Sequence, residues 1–232
     1  MREIVFDTET TGTDPAAGDR IIEIGGVELV NSFPSGRTFH VYINPQRPVS
    51  QGAFEVHGLS DAFLADKPVF AAIADEFLDF VGDAKLVAHN AAFDIAFLNA
   101  EFARLDRAAV ERGRVVDTLA LARRKHPGAP NNLDALCSRY GVDNTRRTKH
   151  GALLDAEILS EVYIELLGGK QADLGLALAL APVGGRGPAA SILRERSRAP
   201  IIRLTNLERE AHLAFVATLG ANAIWRDYLA ER

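Results

Sequence analysis

Two carboxylates at the end of the first apolar segment could share a cation. Asp7 and Glu9 close a predicted strand over residues 3–7. Residues i and i+2 of a strand project from the same face, with Cα atoms roughly 6–7 Å apart. Carboxylates this close repel and raise each other's pKa unless a cation lies between them. A lone D-x-E is usually a solvated strand end, but here the small hydroxyl residues and tight turn of Thr8–Gly12 adjoin the pair.

A second group of polar residues stands at predicted helix starts. Asp94 falls in the first turn of a helix predicted over residues 92–105, where an acid also favours the helix dipole without any further role. His150 precedes a helix predicted over residues 151–167, and Asp155 falls in its second turn, so both side chains can face one cavity. Taken separately, an ordinary helix-start histidine and a solvated carboxylate explain these two residues as well.

The segments that must position these residues alternate between strand and helix over the first 169 residues. Strands are predicted over 20–30 and 37–43, and the turn at 31–36 and short connections favour an antiparallel meander. Further strands are predicted over 85–88 and 115–116, and further helices over 68–81, 117–125 and 132–140. Strands followed by strand–helix alternation predict an α/β domain with a mixed sheet flanked by helices.

Composition restricts the class of protein. Hydrophobic residues make up 47% of the chain, charged residues 25%, and Cys137 is the single cysteine. The longest near-apolar run, residues 174–183, is about half of what a membrane span needs, so we expect a cytoplasmic protein. The first 169 residues carry 17 basic and 25 acidic groups. This charge argues against tight autonomous binding of nucleic acid, but it is compatible with a site that meets phosphate through divalent cations.

The chain changes character after residue 169. Residues 182–200 are rich in glycine, proline and arginine, which is typical of a flexible linker. A last helix is predicted from Thr205, because Thr205 and Glu208 have the capping-box spacing. Apolar residues occupy more than one face of this helix, which a lone helix cannot bury. We therefore expect it to dock on another chain.

Three motifs together resemble the DEDDh family of 3′→5′ exonucleases, which have a ribonuclease H-like fold. They are D-x-E at Asp7–Glu9, H-N-x-x-F-D at His89–Asp94 and H-x-x-x-x-D at His150–Asp155. The similarity extends to Ile22–Gly25 and Phe54–Leu59 and is greatest to the proofreading members that serve bacterial DNA polymerase III. It implies a five-stranded mixed sheet and hydrolytic removal of mismatched nucleotides from a DNA 3′ end.

The resemblance also implies a metal site. Four carboxylates in one pocket would be destabilising without two hard divalent cations, and all-oxygen ligation favours Mg²⁺ or Mn²⁺ over zinc. By the family pattern, Asp7 bridges both ions, Glu9 and Asp155 hold the catalytic ion, and Asp94 binds the second ion directly or through water. His150 accepts the proton of the attacking water.

The family pattern implies a pocket for the terminal nucleotide. Beside Asp7, Glu9 and Asp155, its expected lining consists of Thr10, Thr11, Val56 and His57, with Asn90 and Phe93 nearby. Phe93 could stack on a base, although a core role beside Phe97 fits its spacing equally well, and His57 by itself reads as a loop histidine. The family has a glutamate five residues before this histidine, where Gly52 stands here; Gln51 or Glu55 could replace it.

The resemblance divides the chain into an exonuclease domain (1–169), a flexible linker (170–204) and a C-terminal polymerase-binding segment (205–232). Within residues 171–176, Gln171, Leu174 and Leu176 have the spacing of a peptide that binds the sliding clamp (beta), although a frayed helix end explains them too. The expected partner of the last segment is the alpha subunit of DNA polymerase III, with Phe215, Trp225 and Tyr228 as anchors.

Two other functions fit part of this pattern. The core motifs alone do not separate a DNA exonuclease from an RNA-trimming exoribonuclease of the same superfamily, although the tail argues for DNA. A catalytically idle module that only stabilises a polymerase is the other alternative. The complete set of four carboxylates and His150 argues against it.

Overall fold

A five-stranded mixed sheet forms the centre of the computed structural model, which describes residues 1–147, 149–169 and 205–219. The strands are β1 (Arg2–Thr10), β2 (Ile21–Val30), β3 (Phe33–Tyr42), β4 (Lys85–Ala88) and β5 (Val115–Asp117). They lie in the order β3-β2-β1-β4-β5; β1 to β3 are antiparallel, and β4 and β5 extend the sheet in parallel with β1. The predicted α/β fold with a mixed sheet and an antiparallel meander is confirmed.

The hairpin between β2 and β3 is tighter than the predicted turn over residues 31–36. Only Asn31 and Ser32 connect the strands, and both have positive φ angles of 52° and 65°, as in a two-residue hairpin. β3 then begins at Phe33 and includes Pro34, which an edge strand tolerates because part of its backbone needs no ladder partner. Residues 33–36 are therefore strand.

Helices of residues 1–169 pack on both faces of the sheet. The described helices of this part are α1 (Gln51–His57), α2 (Asp61–Leu64), α3 (Phe70–Val81), α4 (Ala91–Arg104), α5 (Thr118–Lys125), α6 (Leu133–Tyr140) and α7 (Ala152–Leu166). A separate helix, α8 (Asn206–Thr218), follows later in the chain. The sequence predicts α3 to α7 within two residues at each end. It predicts neither α1 nor α2, which are only 7 and 4 residues long and are capped by Ser50 and Ser60.

The alternating side chains of β1 contribute to two hydrophobic clusters. Ile4 and Phe6 pack with the buried aromatic residues of α3 and α4 on one face of the sheet. Val5 packs on the other face with Leu159 and Tyr163 of α7. Because β1 is sandwiched between helices along its length, the carboxylates near its end are held by a rigid core.

The described residues fall in two compact units, 1–169 in the first and 205–219 in the second. In the second unit, α8 begins with the predicted capping box of Thr205 and Glu208. The predicted linker over 182–200, the clamp-peptide residues Gln171, Leu174 and Leu176, and the anchors Trp225 and Tyr228 lie outside the described residues. None of the helices in the described part of the chain has the length and apolar character that a membrane crossing requires.

Candidate active site

Asp7 and Glu9 lie on neighbouring positions of one face of β1, near its carboxyl end. In the strand register Asp7 stands opposite Gly25, and Glu9 stands opposite Glu23. Glu9 is 7% exposed, and its Oε1 is a buried oxygen without a hydrogen-bond donor among the described residues. A buried carboxylate oxygen that no donor reaches is costly unless a cation binds it.

Asp94 reaches the same end of β1 from the first turn of α4. The hydroxyl of Thr8 donates a hydrogen bond of 2.7 Å to Asp94 Oδ1, which ties the helix to the strand between the two acidic residues. The sequence shows Thr8 only as a small neighbour of the D-x-E pair, and this contact gives it a function in holding Asp94. Asn90, the residue before α4, has a left-handed backbone (φ 65°), which turns the chain from β4 into the helix.

His150 and Asp155 meet at the start of α7. His150 Nδ1 lies 3.2 Å from Asp155 Oδ2, and Asp155 is in the first turn of the helix, one turn earlier than predicted, because α7 begins at Ala152. Ligand atoms of Glu9, His150 and Asp155 all lie within 4.8 Å of one another. The structure therefore brings together residues that are more than 140 positions apart in the chain.

Sequence reasoning missed Arg147 in this site. Its Nε and Nη2 atoms donate to the two carboxylate oxygens of Asp155 at 2.6 and 2.8 Å, and its side chain is 9% exposed. The one available signal was its position three residues before His150. Nothing in the local pattern distinguishes it from its neighbour Arg146.

The pKa of each acidic residue in the site depends on its burial and on the charged and hydrogen-bonding groups around it. Burial, followed by the negative charges of Asp94, Glu9 and Asp155, raises the pKa of Asp7 well above its usual value. Burial and the neighbouring acids raise the pKa of Glu9 to about 8, and burial raises the pKa of Asp94 to about 7 despite the bond from Thr8. Burial also acts to raise the pKa of Asp155, but hydrogen bonds from His150 and Arg147 outweigh it and keep this pKa low.

These pKa shifts indicate that the described residues do not neutralise all of the negative charge that the ionised carboxylates of the site would carry. Raised pKa values mean that ionised Asp7, Glu9 and Asp94 are unfavourable in this environment. The donor atoms are carboxylate oxygens, the ligands that hard divalent cations prefer. Both the donor set and the unpartnered Glu9 oxygen therefore fit divalent metal ions.

A cavity of about 450 Å³ opens beside Glu9, whereas Asp7 and Asp155, which were also predicted to border the terminal nucleotide, are not among its lining residues. Among the residues predicted to border the terminal nucleotide, Glu9, Thr10, Val56, His57 and Phe93 line it. His57 ends α1 and is buried, so it is not a loop histidine, and burial lowers its pKa. Phe93 lines the cavity and also packs against Phe97 in a tilted arrangement, with ring centroids 4.8 Å apart. The packing role is therefore observed, and stacking on a base stays a prediction.

Other predicted contacts lie outside this cavity. Thr11 is fully buried and does not line the cavity; its hydroxyl donates to Asp19 Oδ1 at 3.0 Å. Asn90 borders a different cavity of about 640 Å³. Gly52 lines the 450 Å³ cavity. Gln51 and Glu55 do not line it, because they are exposed and bond to each other at 2.9 Å. Neither residue therefore supplies the missing carboxylate at the cavity wall.

Comparison with known proteins gives the class of this fold and site. The family model for exonucleases matches residues 4–163. Exonuclease X, solved in complex with 5′ overhanging duplex DNA, aligns with 72% of this chain and 90% of its own at 29% identity and a TM-score of 0.55. The nuclease domain of 3′hExo, a DEDDh family member bound to rAMP, aligns with 72% and 91% at 17% identity and a TM-score of 0.61. The chain has the DEDDh exonuclease fold and is a 3′→5′ exonuclease.

Comparison with curated relatives shows to which family of exonucleases the chain belongs. DNA polymerase III subunit epsilon of Escherichia coli is 46% identical over 237 residues, which cover 97% of each chain. The corresponding subunit of Rickettsia felis is 46% identical over 230 residues, covering 94% of this chain and 97% of its own. The chain belongs to the family of DNA polymerase III epsilon subunits, as its motifs predict. Membership of the DEDDh exonucleases implies divalent metal ions, in agreement with the donor set.

Proposed function

We propose that the acidic site removes mismatched 3′-terminal nucleotides from DNA as the proofreading exonuclease of the bacterial replicative DNA polymerase III. One observation carries this proposal: ligand atoms of Glu9, His150 and Asp155 lie within 4.8 Å of one another. The adjoining 450 Å³ cavity, which Thr10 and Phe93 help to line, is a suitable place for the terminal nucleotide.

Asp7, Glu9, Asp94 and Asp155 would hold two divalent cations, Mg²⁺ or Mn²⁺. When bound, such a pair of ions lowers the pKa of the attacking water and stabilises charge on the attacking and leaving oxygens. Thr8 supports this set by fixing Asp94. The rigid positions of the ligands on β1, α4 and α7 keep the four carboxylates together despite their repulsion.

His150 acts as the proton acceptor for the attacking water. Its side chain is 47% exposed, while Asp155 beside it is buried. A base at the mouth of the site can take a proton inside and release it to solvent afterwards. Such a base contributes about 10²–10⁴-fold to the rate.

The test of this function is hydrolysis of a single-stranded DNA oligonucleotide labelled at its 5′ end. We expect Mg²⁺- or Mn²⁺-dependent shortening from the 3′ end, faster at a mispaired terminus than at a paired one. His150→Ala should lower kcat by about 10²-fold or more. His126→Ala is the matched control, since His126 bonds to Tyr140 at 2.7 Å, away from the acidic residues.

Three outcomes would contradict parts of the proposal. An unchanged rate in His150→Ala would remove the assigned base. Faster trimming of RNA than of DNA of the same sequence would favour the exoribonuclease alternative. No hydrolysis with either metal ion, together with retained polymerase binding, would favour the idle module.

The second unit supports a partner interaction. Among the described residues of the second unit, four large apolar side chains are exposed, and Leu207 and Phe215 are the most exposed of them at 76% and 61%. Such a surface is typical of a docking helix. The proposed partner of residues 205–232 is the alpha subunit of DNA polymerase III, and the proposed partner of residues 171–176 is the sliding clamp. These partners would hold the DNA, which explains why the nuclease domain can be acidic.

Removal of residues 183–232 should abolish polymerase binding and leave hydrolysis of short oligonucleotides unchanged. Phe215→Ala in the full chain should weaken binding at least about tenfold, as expected for an aromatic anchor. Glu210→Ala, an exposed change on the same helix, is the control. Size-exclusion chromatography and titration with purified alpha subunit measure both effects. Full binding by the truncated chain would refute this assignment.

A further inference from the structure

Arg147 links two candidate catalytic residues to the fold. Its guanidinium spans Asp155, where Nε lies 2.6 Å from Oδ1 and Nη2 lies 2.8 Å from Oδ2. The same Nη2 lies 2.8 Å from Nδ1 of the His150 ring. On its other side, Nη1 donates to Asp134 Oδ1 of α6 at 2.9 Å. One side chain therefore connects α6, the start of α7 and the exposed histidine.

The chemistry of arginine suits this position. A guanidinium has five N–H donors in a planar fork and can bind both oxygens of a carboxylate at once. Each carboxylate oxygen has two lone pairs, so Asp155 keeps acceptor capacity for a cation while Arg147 fixes its plane. A lysine ammonium, as a compact point charge, could restore the charge but not the two parallel bonds.

His150 has few other restraints among the described residues. Its backbone N–H donates to the Val56 carbonyl at a long 3.3 Å, and the next residue, Gly151, is the N-cap of α7 and has no side chain to cap the helix. About half of the imidazole is exposed. In the tautomer that a proton acceptor needs, Nδ1 carries the hydrogen and donates to Asp155 Oδ2 at 3.2 Å, which leaves the lone pair of Nε2 free. Arg147 therefore orients the ring through the Asp155 carboxylate, to which it donates at 2.6 and 2.8 Å.

We propose that Arg147 is a positioning residue, which holds the His150 ring and the Asp155 carboxylate in the arrangement required for hydrolysis. The inference rests on the proposed function of His150 as the proton acceptor. Arg147 touches neither the reacting bond nor the cavity; it acts through the two residues it holds. Its neighbour Arg146 does not share this role, because Arg146 is 70% exposed and its nearest acid, Glu157, is 3.8 Å away.

The two adjacent arginines provide a matched pair for the test. Arg147→Ala should lower kcat about 10- to 100-fold on single-stranded DNA, as for other residues that orient a ligand, with KM changed less than about threefold. Arg147→Lys should recover part of this loss, and Arg146→Ala should keep the wild-type kcat. A loss of equal size in both alanine variants would overturn the proposal, as would a change in KM with unchanged kcat.

A double variant tests whether Arg147 acts through His150. In a His150→Ala background, Arg147→Ala should cause much less further loss than it does alone, because residues that act through each other are not additive. Fully additive losses would overturn the proposed coupling.

A spectroscopic measurement does not depend on activity. In metal-free protein, Arg147→Ala should move the imidazole NMR signals of His150 and leave those of the other five histidines in place, whereas Arg146→Ala should move none. Unmoved His150 signals in Arg147→Ala would refute the contact. If the signals move but His150→Ala retains full activity, the proposed base is wrong while the positioning contact stands, so the two failures are distinguishable.

Discussion

Asp7→Asn should raise the melting temperature of the metal-free protein and abolish its nuclease activity. The pKa of Asp7 is raised by burial and by the charges of Asp94, Glu9 and Asp155, so its ionised form destabilises the folded state. An amide of the same shape removes this charge. For a domain of this size, a change of about 1 kcal/mol in the free energy of unfolding shifts the melting temperature by about 2–4 °C. We therefore expect the melting temperature of Asp7→Asn to be at least about 3 °C higher than that of the wild type at pH 8.

The pH dependence of this gain follows from the direction of the shift. A raised folded-state pKa means that the folded protein binds the proton more tightly than the unfolded chain does. Stability is therefore lost as the pH rises from the usual aspartate pKa of 3.8 toward the folded value. The difference in melting temperature between Asp7→Asn and the wild type should be small near pH 4 and larger at pH 8.

Calorimetry in EDTA and in Mn²⁺ measures both parts of this prediction. Mn²⁺ should stabilise the wild type and have a much smaller effect on Asp7→Asn, because an ion stabilises only the state that binds it. kcat should fall about 10³-fold or more, which corresponds to the several kcal/mol that metal-ion catalysis supplies. Asp83→Asn, an exposed change before β4, is the control. A lower melting temperature in EDTA for Asp7→Asn would show that the acidic residues are not in mutual repulsion.

The buried acidic residues show that the sequence alone does not predict which acids have an ion-pair partner. Glu28 and Glu101 are as buried as Glu9, Asp94 and Asp155. Arginines neutralise them, since Arg2 lies 2.5 Å from Glu28 and Arg20 lies 2.6 Å from Glu101. Among the described residues, no arginine forms an ion pair with Glu9, and its Oε1 has no hydrogen-bond partner. The local sequence shows each acid but not its partner, which is as many as 81 residues away. Burial without an arginine partner, visible only in the fold, distinguishes Glu9 from Glu28 and Glu101.

The difference between local patterns and distant contacts also explains which features of the fold and the site could be predicted from the sequence. The sheet and the long helices follow from apolar patterns within one segment, and the three motifs fixed the places where the carboxylates should converge. Arg147 could not be found in this way, because its function depends on contacts with α6 and α7 and not on its neighbours in the chain. The helix α1 was missed because seven residues with a serine cap give too short a pattern for helical periodicity.

Gly25 fixes the distance between the sheet and the helix that carries Asp155. In the strand register it lies opposite Asp7. A Cβ atom at this position would lie 2.1 Å from the backbone nitrogen of Leu153 and 2.2 Å from the carbonyl carbon of Ala152, in the first turn of α7. Backbone atoms cannot rotate away as a flexible side chain can, so any larger residue must push the helix start outward.

Gly25→Ala should therefore lower kcat by about 10²-fold or more, because a displacement of about 1 Å in catalytic groups has an effect of this size. Gly26→Ala is the matched control on the other face of β2, where the added Cβ would meet the Phe80 side chain at 3.1 Å. It should reduce the melting temperature while kcat changes little, since the strain falls on the core and not on α7. Melting curves and kcat of both variants separate the loss of stability from the loss of geometry. If Gly25→Ala hydrolyses DNA at the wild-type rate, close packing of β2 against α7 is not what places Asp155 beside Asp7.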